Sequence, residues 1–238
     1  MEIIKCLDYD DLSKIAACIF IDKIKNIEKP ILGLATGSTP LGLYKNLVKA
    51  YKDKVISFKN AITCNLDEYL GLDEDDEMSY HYYMKENLID KVDILKDNFH
   101  IPDSHLENPK IYDEILDKIG RRSIQLLGVG ENGHIAFNEP DEELNYSTSV
   151  VELEESTIKA NARFFESEEE VPTRAISMGM GTIFNAEKII LLISGKNKEE
   201  ATNYLINKDK ISTKVPVSLL KLHHDVTVFI DEESVKIR

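Results

Sequence analysis

Cysteine is scarce in this chain: Cys6, Cys18 and Cys64 are odd in number, far apart and without a C-x-x-C pair. That excludes a disulfide scaffold and a cysteine zinc site, suits a reducing compartment, and leaves three buried thiols as the expectation. Seven prolines and eleven glycines are too few for a collagen-like or low-complexity chain. Long apolar runs are missing as well. None approaches the roughly 18 residues of a membrane span, and the N-terminal MEIIKCLDYDDLSK is too charged for a signal peptide. No membrane partner and a cytoplasmic location are therefore expected. Basic residues are in deficit, with 29 Lys and Arg against 43 Asp and Glu and a formal net charge of −14. Such a chain repels nucleic acid and anionic membranes, which excludes DNA or RNA as partner.

What remains is 238 residues, 42% apolar and 30% charged, enough to bury a sizeable core in one large domain spanning 1–238. Short apolar runs alternate with helical patterns: ILGLATG then LGLYKNLVKAY, AITCNLDEYLG then SYHYYMKENLI, SIQLLGVG, KIILLISG then NKEEATNYLI, and DVTVFID. Continuously apolar strands such as IILLIS are those of a mostly parallel sheet with helices on both faces, an α/β fold. No repeat or linker interrupts it. The acidic blocks Asp73 to Glu77 and Glu166 to Glu170 read as solvated loops. In such sheets ligands bind at the carboxyl ends of the strands, so the residues following each strand are where chemistry is sought.

Three of those segments stand out. After ILGL come Thr36, Gly37, Ser38, Thr39 and Pro40: Gly37 lets a ligand approach the backbone, Ser38 or Thr39 can cap the next helix, and Pro40 suits its first turn. Hydroxyls and free N–H groups at a helix start form an anion site, with phosphate the commonest occupant, although an ordinary capped helix would look the same. It is no Walker loop, because the G-x-x-x-x-G-K-[ST] pattern is missing. After AITCN stand two adjacent acids, Asp67 and Glu68, pointing to different sides. One can face a cleft as a general base while the other caps a backbone, and the sequence does not choose between them. After SIQLL, Gly128 to Gly133 match G-x-G-x-x-G, but Glu139-Pro140 follows too soon for the helix a dinucleotide fingerprint must open. The segment instead carries Asn132, His134 and Glu139 on a glycine-permitted loop, where a histidine beside a carboxylate forms a proton-handling pair.

In order and spacing, LGLATGSTPLGLYKNL, CNLDEYLGL, SYHYYM, LLGVGENGHIAFNEP and NARFF resemble the glucosamine-6-phosphate deaminase (glucosamine-6-phosphate isomerase) family over nearly the whole chain. The resemblance implies a modified Rossmann-like sheet and a hydrolase of amino-sugar catabolism. It would turn glucosamine 6-phosphate and water into fructose 6-phosphate and ammonia without metal or organic cofactor. It implies Asp67 as the base moving a proton between C2 and C1, and His134 as the ring-opening residue, supported by Glu139 and Asn132. Many relatives have Asp where this chain has Asn132, although Asn also occurs among shorter bacterial members, so Glu139 is the expected tuner of His134. For the phosphate, the resemblance adds Arg163 and Lys198, with Lys196 a near competitor, to the Thr36 to Thr39 turn. It also implies an active-site lid at about 153–175.

Two other functions share the fold. A 6-phosphogluconolactonase would carry Arg after the Asp-Glu pair and a Ser-Leu-Phe-Pro ending, where this chain has Tyr69 and Phe137-Asn138-Glu139-Pro140. A non-catalytic sugar-phosphate sensor would come with a DNA-binding module, for which neither length nor charge leaves room. Allosteric members of the resembled family bind N-acetylglucosamine 6-phosphate through basic residues shortly after F-N-E-P. Here Asp141 to Val151 holds three acids and no Lys or Arg, so a monomer or small homo-oligomer without that regulation is expected.

Overall fold

The computed structural model describes residues 1–106 and 108–232. The chain opens with β1 (Glu2–Cys6), α1 (Tyr9–Asn26), β2 (Ile31–Leu34), α2 (Leu41–Lys52) and β3 (Ile62–Asn65). Next come β4 (Asp67–Tyr69), α3 (Tyr80–Asn87), β5 (Phe99–His100), α4 (Lys110–Ile119) and β6 (Ile124–Leu127). The remainder holds β7 (Ser149–Glu152), α5 (Glu155–Asn161), β8 (Arg174–Ser177), α6 (Met180–Phe184), β9 (Ile189–Ile193), α7 (Glu199–Asn207) and β10 (Val226–Asp231).

Seven strands form one sheet in the order β1-β10-β9-β6-β2-β3-β5, with every neighbouring pair parallel. All residues of β3, β6, β9 and β10 are buried, because helices cover both faces. This is the α/β sheet the alternating pattern predicts. From β2 the chain winds outward through β3 to β5, and from β6 it winds the other way through β9 to β10. The crevice between β2 and β6 is thus the switch point, where two loops diverge and leave room for a ligand.

A second sheet escapes the sequence pattern. β4, β8 and β7 pair antiparallel, with Asp67 opposite Ser177 and Tyr69 opposite Ala175. Three residues are too few to show an alternation, and the partner strand lies more than a hundred residues away. Two further expectations need correction. Cys6 and Cys64 are buried, but Cys18 is exposed, since it stands on the outward stripe of α1 whose inward residues are Leu12, Ala16, Ala17 and Phe20. No side chain caps α2, and Pro40 occupies the capping position itself in a helical conformation, so Ser38 and Thr39 do not reach back. The expected absence of a helix after Gly133 is correct: turns and bends lead from there to β7. No helix among the described residues is long and apolar enough to cross a membrane.

Candidate active site

The turn after β2 is fixed by three tyrosines from three helices. Tyr44 bonds both the N–H and the carbonyl of Ala35, Tyr83 donates to the Gly37 carbonyl at 2.6 Å, and Tyr9 donates to the Thr39 carbonyl at 2.9 Å. Tyr9 also accepts the Gly42 N–H at 2.8 Å, doing for α2 what a capping hydroxyl would have done. With their backbone held from behind, Thr36, Gly37, Ser38 and Thr39 line a cavity of about 280 Å³ at the switch point.

The Asp-Glu pair divides its labour as strand geometry requires. Glu68 points away and accepts the N–H groups of Tyr69, Tyr80 and His81, each at 2.8 Å, anchoring the start of α3. Burial pushes its carboxyl up to about 7 against the pull of those three bonds. Asp67 faces the cavity and is only 5% exposed. Burial, reinforced by the neighbouring Glu68 charge, raises it to about 8, and no hydrogen bond from the described residues offsets this. A carboxylate poised near neutrality and facing a cleft has the chemistry general-base work requires.

The loop after β6 brings the second set of groups. Gly130, Gly133 and Ala136 let it fold tightly, the last two at φ +89° and +52°. A methyl group at Gly130 would lie within 2.4 Å of the His134 ring, so the ring occupies space that only glycine leaves. Asn138 ties the loop to the carbonyls of Ile135 and Met178, at 3.0 and 2.8 Å. His134 then meets the Glu139 carboxylate through Nδ1 at 3.0 Å, and Asn132 donates to the same oxygen at 2.7 Å. The Asn132 carbonyl oxygen accepts the His134 N–H at 3.1 Å. Burial works to raise Glu139, but His134, Thr157 and Asn132 together hold it below the usual carboxylate range. Glu139 is therefore an ionised partner on the Nδ1 side of the ring.

Opposite stand the cations. Lys198 lines the cavity together with Arg163, and burial lowers its pKa, with Glu131 opposing and the Arg163 charge assisting. Lys196 is exposed and not part of the wall. The structure thus brings Thr36, Gly37, Ser38, Thr39, Asp67, Asn132, His134, Arg163 and Lys198 around one cavity, with Glu139 behind His134. Sequence reasoning missed the α5 side: Thr157 and Asn161 also line the wall, and Asn161 donates to the Tyr69 hydroxyl at 2.8 Å. Their four-residue spacing, one face of a helix, was the available signal. Among the described residues, no group of three or more His, Cys, Asp or Glu is placed to hold a metal ion. The arrangement offers an anion pocket, a base and a histidine-carboxylate pair, which suit proton transfers on a small phosphorylated substrate.

The family model for glucosamine-6-phosphate isomerases/6-phosphogluconolactonase matches residues 10–229. The glucosamine-6-phosphate deaminase of Thermoanaerobacter sp. (strain X514) is 51% identical, covering 98% of this chain and 94% of that protein. The deaminase of Mycoplasma mycoides subsp. mycoides SC is 48% identical, covering 98% and 96%. A solved monomeric glucosamine-6-phosphate deaminase superposes with a TM-score of 0.96 at 44% identity, over 98% of both chains. A 6-phosphogluconolactonase from Trypanosoma cruzi reaches 0.76 at 21% identity, over 98% of this chain and 95% of that one, a likeness of fold alone.

Proposed function

This chain belongs to the glucosamine-6-phosphate isomerase/6-phosphogluconolactonase family, on its deaminase side, and from that membership we propose how its cavity turns D-glucosamine 6-phosphate and water into D-fructose 6-phosphate and ammonia. The observation that carries the reading is a desolvated base, Asp67, sharing one cavity with a histidine-carboxylate pair and two cations. Arg163, Lys198 and the hydroxyls of the Thr36 to Thr39 turn hold the phosphate. His134, oriented by Glu139 and Asn132, shuttles the proton that opens the ring. Asp67 takes the C2 proton of the open aldose and returns it to C1, leaving a ketimine at C2 that water hydrolyses to the ketose and ammonia. The segment at about 153–175, whose α5 walls the cavity, acts as the lid that excludes water during these steps.

The test is a coupled assay for ammonia and fructose 6-phosphate. Release is expected to survive excess chelator, and complete inactivation reversed by a divalent ion would overturn the metal-free reading. Unphosphorylated glucosamine loses its charge-assisted bonds to two cations, so kcat/KM is expected to fall by roughly 10²–10⁴. Equal values for the two sugars would show the anion pocket to be misassigned.

A monomer acting in the cytoplasm is the assembly we favour, supported by the likeness to a monomeric deaminase and by the absence of basic residues between Asp141 and Val151. Hyperbolic kinetics in glucosamine 6-phosphate are expected, with no activation by N-acetylglucosamine 6-phosphate. Initial-rate curves decide this: a Hill coefficient well above one that falls on adding the acetylated sugar phosphate would refute it.

A further inference from the structure

The Glu139 carboxylate is a junction between two parts of the chain. Its Oε2 is shared by His134 and Asn132, which belong to the same loop as Glu139 itself. Its Oε1 accepts the Thr157 hydroxyl, and Thr157 belongs to α5, eighteen residues further on. Oε2 already takes two hydrogen bonds, and the oxygen that completes the hold on the carboxylate plane is bound from a different element. Thr157 is the one buried residue of α5; Glu154, Glu155, Ser156 and Lys159 around it are exposed. A helix of seven residues has no stability of its own in water, so its position depends on such tertiary contacts.

One turn along the same face, Asn161 donates to the buried Tyr69, whose ring packs against Tyr80 at 4.7 Å between centroids, and Tyr80 lines the cavity with Thr36 of the anion turn. Arg163 follows immediately, on the cavity wall. One face of α5 therefore touches both the proton-handling pair and, through two tyrosines, the phosphate side.

Resting on the deaminase reading above, we propose that Thr157 is a positioning residue: its hydroxyl, delivered by docked α5, fixes the rotation of the Glu139 carboxylate so that Oε2 stays on His134. Ring opening then proceeds at full rate only while the Thr157 hydroxyl holds Oε1.

Thr157→Val keeps the shape and removes the hydroxyl, whereas Thr157→Ser keeps the hydroxyl. With glucosamine 6-phosphate, Thr157→Val is expected to lower kcat roughly 10-fold, a fraction of what a positioned acid-base pair contributes, with KM within about twofold. Thr157→Ser should return to within about threefold of wild type. The reduced, ring-free analogue 2-amino-2-deoxyglucitol 6-phosphate should bind all three proteins alike, since it needs no opening. Should Thr157→Val fold poorly, Thr157→Ala against Thr157→Ser gives the same contrast. Unchanged kcat in Thr157→Val, a Ser variant as impaired as the Val variant, or parallel loss of analogue binding would overturn the proposal while leaving the deaminase reading intact. A wild-type protein that releases no ammonia would overturn that reading, and this inference with it.

Discussion

Asp67→Asn is expected to lower ammonia release by at least roughly 10³-fold, the scale of a lost general base, while raising the stability of the folded protein at alkaline pH. Both follow from one fact. Folding lifts this carboxyl from 3.8 to about 8 by burying it beside Glu68, so the native state holds the proton more tightly than the unfolded chain does. Stability from that proton is fully present below pH 4 and is lost as pH rises through about 8. Ionising Asp67 in the fold thus costs on the order of a few kcal/mol, a cost that Asn does not carry. Melting temperatures of the two proteins should lie closest at about pH 4 and diverge in favour of Asn as the pH rises to about 8. Wild-type kcat/KM should climb over the same range, in steps that belong to the Asp67 and Glu68 pair rather than to either alone. A variant that kept activity, or a melting difference independent of pH, would remove Asp67 from its role.

Gly130→Ala is the second large effect: activity should fall by roughly 10²–10⁴ with the fold retained. Gly130 has no positive φ, so the backbone tolerates a side chain. The ring of His134 does not, since Nδ1, Cε1 and Nε2 all lie within 2.4 Å of where the methyl would be. That ring is held in place by Glu139, and the cheapest relief is for His134 to swing out and abandon the pair. The neighbouring Gly133→Ala should behave in the opposite way, because a φ of +89° and Val215 at 3.0 Å make the penalty one of backbone strain and stability. Near-normal kcat/KM in Gly130→Ala, or loss of folding in place of activity, would show that the glycine serves the chain and not the histidine.

The parallel sheet was legible because its central strands are continuously apolar, a pattern that burial on both faces imposes. The positions of Asp67 and His134 were legible because strand ends are where a parallel sheet offers a ligand its loops. Other parts needed coordinates. Whether Asp67 or Glu68 faced the cleft depended on two backbone N–H groups at the start of α3, those of Tyr80 and His81, more than ten residues away. The capping of α2 by Tyr9 joins two helices that no local window contains. Thr157 and Asn161 lay inside a segment already read as a lid, yet their partners, Glu139 and Tyr69, belong to other elements, and a polar residue on a short helix gives no sign of which end of a hydrogen bond it will find. The exposed Cys18 shows the same limit, since a rule about residue type cannot see which stripe of a helix turns outward.

The small antiparallel sheet has a mechanical meaning. β4 carries Asp67, β7 leads within three residues into α5, and β8, which separates the two strands, receives the chain when it returns from α5. Asp67 and the helix that walls it in are therefore mounted on a single plate, joined to the large sheet through Leu66 and to the histidine loop through Asn138 and Met178. Asp67 and α5 thus keep station with one another, and any strain on that plate reaches His134 through the Thr157–Glu139 bond. A linkage of this kind makes the two sides of the cleft one frame, in which the alignment of the histidine answers to the seating of a short helix on another sheet.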